Sequence, residues 1–79
     1  MPDVKTLYSL SYLRGGRRER LELAVDVEPA SLLLYADTPG IGRVWGLSPD
    51  AVIDHTVALL MDEGATDVEV HKHGSLHHA

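Results

Sequence analysis

Cysteine is absent from this 79-residue chain, which removes disulfide staples, thiolate chemistry and cysteine-based zinc sites together. Phenylalanine is absent too, so a core must be aliphatic, helped by Tyr8, Tyr12, Tyr35 and Trp45. No apolar stretch approaches the ~20 residues that cross a bilayer as a helix. The opening Met1, Pro2, Asp3, Val4 and Lys5 lack the positive segment and apolar run of a secretory leader. A cytoplasmic domain with no membrane contact is expected.

Basic residues are also scarce. Seven Lys and Arg stand against twelve Asp and Glu, for a net charge of −5. Four of the seven, Arg14, Arg17, Arg18 and Arg20, fall within seven positions, while eleven of the twelve acids lie elsewhere. The body is acidic and one short segment is basic. An acidic body repels nucleic acid, so any contact with DNA or RNA falls to that segment.

What the chain does contain is a β-hairpin. A two-residue loop at Gly15 and Gly16 sets Arg14 opposite Arg17. Pairing then runs back through Leu10 with Leu21, Tyr8 with Leu23, Thr6 with Val25 and Val4 with Val27 on one face. Ser11 with Arg20, Ser9 with Glu22 and Lys5 with Asp26 occupy the other. A slip of one residue would set Leu10 against Glu22, so the register is well specified. Strands are expected over 4–13 and 18–28, with Pro29 ending the second.

The apolar run over 31–36 reads as a further, central strand. Thr38, Pro39, Gly40 and Ile41 read as a type II turn, with proline at its first central position and glycine at its second. Arg43 to Gly46 offers a short returning strand, weakened by its glycines. Ser48 is an N-cap before Pro49 and Asp50, and Gly64 suits the residue after the helix end. Val52, Ile53, Val57, Leu60 and Met61 form the apolar stripe of that helix. A last strand alternates through Val68 and Val70. The expected architecture is α+β, a mostly antiparallel sheet of four or five strands with one helix on one face, in the order β-β-β-(β)-α-β. Residues 1–73 form the single domain, and 74–79 read as a flexible tail carrying histidines.

Catalytic machinery is missing. No serine stands in a nucleophile-elbow context, the glycines at 40, 42 and 46 lack dinucleotide spacing, and the Walker lysine is missing. We expect neither enzymatic activity nor a cofactor. Three features invite a binding reading instead. The arginine tip (Arg14, Arg17, Arg18, Arg20) suits phosphate or carboxylate, since like charges opposite each other need a reason to be there. Leu7 and Leu13 punctuate the polar face that one helix leaves uncovered, and Trp45 is a residue type favoured at contact hot spots. Glu69, His71 and His73 alternate, so they share one strand face and suit zinc, copper or nickel. The leading expectation is a regulatory, inhibitory or accessory module that contacts another protein, self-association as a homodimer included. Nucleic-acid binding by the arginine tip is the second reading, and metal binding by the strand histidines the third.

Overall fold

A computed structural model describes residues 3–28 and 30–78, with side chains placed over 6–28 and 30–73. Strand β1 (Asp3–Arg14) turns at Gly15 and Gly16 into β2 (Arg17–Glu28). Both glycines take positive φ, 60° and 77°, as a tight two-residue hairpin loop requires. The described ladder runs from Thr6 opposite Val25 to Arg14 opposite Arg17, in the register expected from the two apolar stripes. The expected pairs at Val4 and Lys5 fall outside that described ladder.

Strand β3 (Leu33–Thr38) follows a turn in which the Leu32 N–H donates to the Glu28 carbonyl (2.8 Å). Leu32 itself is left-handed at φ 58°, a conformation that costs a residue with a Cβ about 1–2 kcal/mol. The next reversal is the expected type II turn. The Ile41 N–H donates to the Thr38 carbonyl at 3.0 Å, and Gly40 holds φ 81°. It returns the chain as β4 (Gly42–Gly46), paired without a bulge to β3.

Helix α1 (Pro49–Asp62) starts where Ser48 Oγ accepts from the Ala51 N–H at 3.1 Å. It stops in a Schellman motif: Ala65 N–H donates to the Leu60 carbonyl and Gly64 N–H to the Met61 carbonyl, both at 3.0 Å. Gly64 supplies the left-handed residue at φ 96°. Strand β5 (Thr66–His78) then pairs antiparallel with β1, so the sheet order is β4-β3-β2-β1-β5. The helix thus links two strands that run the same way at opposite edges of an antiparallel sheet. Residues 74–78, expected as a tail, continue the ladder opposite Asp3 to Leu7.

The core lies between the sheet and α1: Tyr8, Leu10, Tyr12, Leu21, Leu23 and Val25 from the hairpin meet Ala36, Val44, Val52, Ile53 and Leu60. Three expectations need correction. Thr56, not Met61, completes the helix's buried face, and its hydroxyl donates to the Val52 carbonyl at 2.8 Å, which satisfies it in the interior. Val70 points to the helix side of the sheet yet is 43% exposed, because α1 sits over β4 and β3 rather than over β5. Trp45 lies outside the core on the face turned away from the helix, 37% exposed against Tyr35.

Tyr8 brings a polar atom into this core. Its hydroxyl is buried with no hydrogen-bond partner among the described residues. Burial raises its pKa above the ordinary value of 10.0, and the Asp50 carboxylate adds to that. Because burial penalises the phenolate, the fold keeps its full stability below about pH 10 and loses stability as pH climbs through the raised value. Tyr8→Phe is therefore expected to hold or raise the melting temperature at pH 7 and to soften the alkaline loss. A Tyr8→Phe variant that melts earlier at pH 7 would show the hydroxyl to be satisfied after all.

Candidate functional site

The arginine tip does not assemble as one anion-binding cluster. Register puts Arg14 and Arg17 on the helix side of the hairpin and Arg18 and Arg20 on the reverse. Arg14 Nη2 lies 3.0 Å from Glu19 Oε2, and its Nη1 lies 3.5 Å from Glu63 Oε2 at the end of α1. The Tyr12 hydroxyl donates to the same Glu19 oxygen at 3.1 Å. Burial raises the Tyr12 pKa, and this hydrogen bond and the Glu19 charge add to the rise. Glu63, unfavourable beside the negative end of the helix dipole, is answered by Arg14. Arg20 Nη2 lies 3.6 Å from Glu22 Oε1. Arg17 and Arg18 are exposed, and no carboxylate pairs with either among the described residues.

Leu7 and Leu13 are both half-buried on the sheet face turned away from the helix. Six positions of strand, about 20 Å, separate them, with Ser9 and Ser11 between. They are two spots rather than one patch. Leu7 borders a shallow cavity of about 470 Å³ with Ala24, Arg20, Glu22 and His73. Leu13 stands opposite Arg18.

The strand histidines separate as well. His71 Nε2 lies 3.8 Å from Glu69 Oε2, whereas His73 Nε2 shares a 2.7 Å hydrogen bond with the buried Ser9 Oγ. Tyr8 pairs with Lys72 and Leu7 with Gly74, so His73 is the extra residue of a bulge, and it reaches the Ser9 hydroxyl although Ser9 stands opposite His71. Among the described residues no three His, Asp or Glu gather as a metal ligand set. Periodicity alone held no signal for this bulge.

The strongest concentration of exposed apolar and aromatic surface lies along β4. A groove of about 640 Å³ runs between this edge strand and α1, lined by Val44, Trp45, His55, Ala58 and Leu59 with Arg43 at its rim. Leu59 is 39% exposed, and Leu47 just beyond the strand is 84% exposed. Trp45 and Tyr35 have ring centroids 4.9 Å apart at 43°, and the Arg43 guanidinium sits 4.5 Å above the Tyr35 ring. Arg43 Nε donates to Asp37 Oδ1 at 3.2 Å, which turns its charge over β3 instead of outward from the edge. Sequence reasoning named Trp45 but missed His55, Ala58 and Leu59. The available clue was Leu59, an apolar residue off the buried stripe.

The two edges of the sheet differ in how they are guarded. β5 carries two bulges and the charged or titratable Glu69, His71, Lys72 and His73, all features that discourage another strand from pairing. β4 has neither bulge nor proline. No helix of the described chain is long and apolar enough to cross a membrane. No protein family, characterised protein or solved structure matches this chain.

Proposed function

We propose that this chain is a small protein-binding module whose contact surface is the β4 edge and the groove beside it. The observation that carries this reading is the asymmetry of the edges: one is defended against pairing, and the other combines open backbone with Trp45, Leu47 and Leu59. An added strand gains main-chain hydrogen bonds along β4, and an apolar side chain beside it fills the groove. Catalysis has no part in the proposal. A photo-crosslinking residue at Leu59, in the native host, is expected to capture protein in high yield. The same residue at Arg17 is expected to capture little. Equal yields, or capture from the tip alone, would overturn the assignment.

Nucleic-acid binding retains one supporting observation, the two arginines at positions 17 and 18 that no carboxylate pairs among the described residues. Two phosphate contacts give a log–log salt slope of only about −2. That is slight support for a duplex-binding protein with a net charge of −5. Metal binding by Glu69, His71 and His73 would require His73 to give up Ser9. Zinc is expected to leave the melting temperature unchanged, and a rise abolished by His71→Ala would favour the metal reading.

A further inference from the structure

We propose that the partner at the β4 edge is a second copy of this chain, joined antiparallel about a two-fold axis through Val44. This rests on the assignment of β4 as the contact edge and names what occupies it. The chain's own register possibilities select the axis. Centred on Val44, the pairing sets Trp45 opposite the partner copy's Arg43 and Gly46 opposite its Gly42, and all four positions then repeat by symmetry. Moving the axis to residue 43 would set two arginines face to face, which like-charge repulsion disfavours. Moving it to residue 45 would set Arg43 against the partner copy's Leu47 and shift the axis off Val44, which lines the groove with Ala58 and Leu59.

The Val44 register is complementary on both faces of the joined sheets. On the face away from the helices, Arg43 and Trp45 occupy the same side, because alternate strand residues do. Each Trp45 indole then meets the aliphatic stem of the partner copy's Arg43, whose guanidinium stays on its own Tyr35 and Asp37. On the other face, the two-fold places the helices antiparallel and side by side. Helix α1 packs on β4 and β3, the strands at this edge, so the joint brings the two helices side by side, where helices pack with axes about 8–10 Å apart.

The helix residues at that seam fit each other. His55, Ala58, Leu59 and Asp62 share one side of α1 by their three- and four-residue spacing. An antiparallel partner centred between Ala58 and Leu59 sets each His55, a ring N–H donor, against the carboxylate acceptor of an Asp62, with leucine and alanine meeting at the middle. Val44 lines the same groove as Ala58 and Leu59, so one axis serves both strand and helix. The exposed Leu59 and the groove beneath it are then covered together.

Sedimentation of the full chain is the first test. The mass is expected to be that of two chains at about 1 mM and to fall towards one on dilution, as for an interface of modest area. Trp45→Arg places arginine opposite arginine at both symmetry-related positions, and is expected to raise the dissociation constant about thirtyfold or more. Its far-ultraviolet circular dichroism should be unchanged, since residue 45 lies outside the core. Val44→Cys provides a register test, because the chain has no other cysteine. Directly opposed residues on antiparallel strands sit about 4.5–5.5 Å apart at Cα, within disulfide reach, so the variant should oxidise to a covalent dimer. A wild-type chain that stays monomeric at about 1 mM, or a Trp45→Arg variant that dimerises as wild type does, would overturn the proposal. Capture of a different protein from Leu59 together with a monomeric mass would overturn the self-pairing and leave the contact edge standing.

Discussion

Leu10→Ala is expected to destabilise the fold by about 2–5 kcal/mol, the range for removing a buried leucine side chain from a packed core. Leu10 has no exposed surface and sits on β1 between Leu21 of β2 and Val70 of β5, beneath the core that α1 closes. A domain of 79 residues holds roughly 4–12 kcal/mol in all, at about 0.05–0.15 kcal/mol per residue. One substitution therefore removes a large share of the total. At about 4–8 °C per kcal/mol the melting temperature should fall by at least about 8 °C. A drop of a degree or two would mean that the hairpin's apolar face does not line the core.

Gly46→Val should be comparably damaging, for a different reason. A Cβ at position 46 would lie 2.8 Å from the Val52 amide nitrogen and 3.0 Å from the Ala51 Cβ. Both belong to the first turn of α1, and a backbone atom cannot rotate aside as a side-chain tip can. The stiffening of the unfolded chain that accompanies replacement of glycine is worth only about 0.4–1 kcal/mol. Overpacking typically costs about 1–3 kcal/mol, occasionally more, and valine adds three carbons against backbone that cannot move aside. The clash outweighs the entropic gain. Urea titration followed by the single tryptophan, next in the chain to the altered residue, is expected to show an earlier midpoint for Gly46→Ala and a larger loss for Gly46→Val. Unchanged midpoints would show that the helix start does not rest on β4.

Much of this architecture was legible because local chemistry and global fold agree. Gly15 and Gly16 demand a tight turn, and only one register then matches Leu10 to Leu21 and Tyr8 to Leu23. Ser48, Pro49 and Gly64 bound the helix through capping groups that act within a few residues of themselves. The candidate site was less legible, because it depends on contacts between distant segments. Arg14 looks like a free cation until Glu63, forty-nine positions away, is brought to it. His71 and His73 look like paired ligands until the sheet supplies each with its own partner, Glu69 for one and Ser9 of β1 for the other.

The order of residues by itself determined where the strands and helix lie, which faces are apolar, and how the first hairpin is registered. Those outcomes depend on periodicity, turn geometry and capping, all of them short-range. Only the tertiary structure decided that β4 and β5 become opposite edges, one guarded and one open. It also decided that α1 settles over β4 and β3 and leaves Val70 exposed. The reason is that strand order and helix placement come from burial summed over the whole chain, and no stretch of sequence carries that sum on its own.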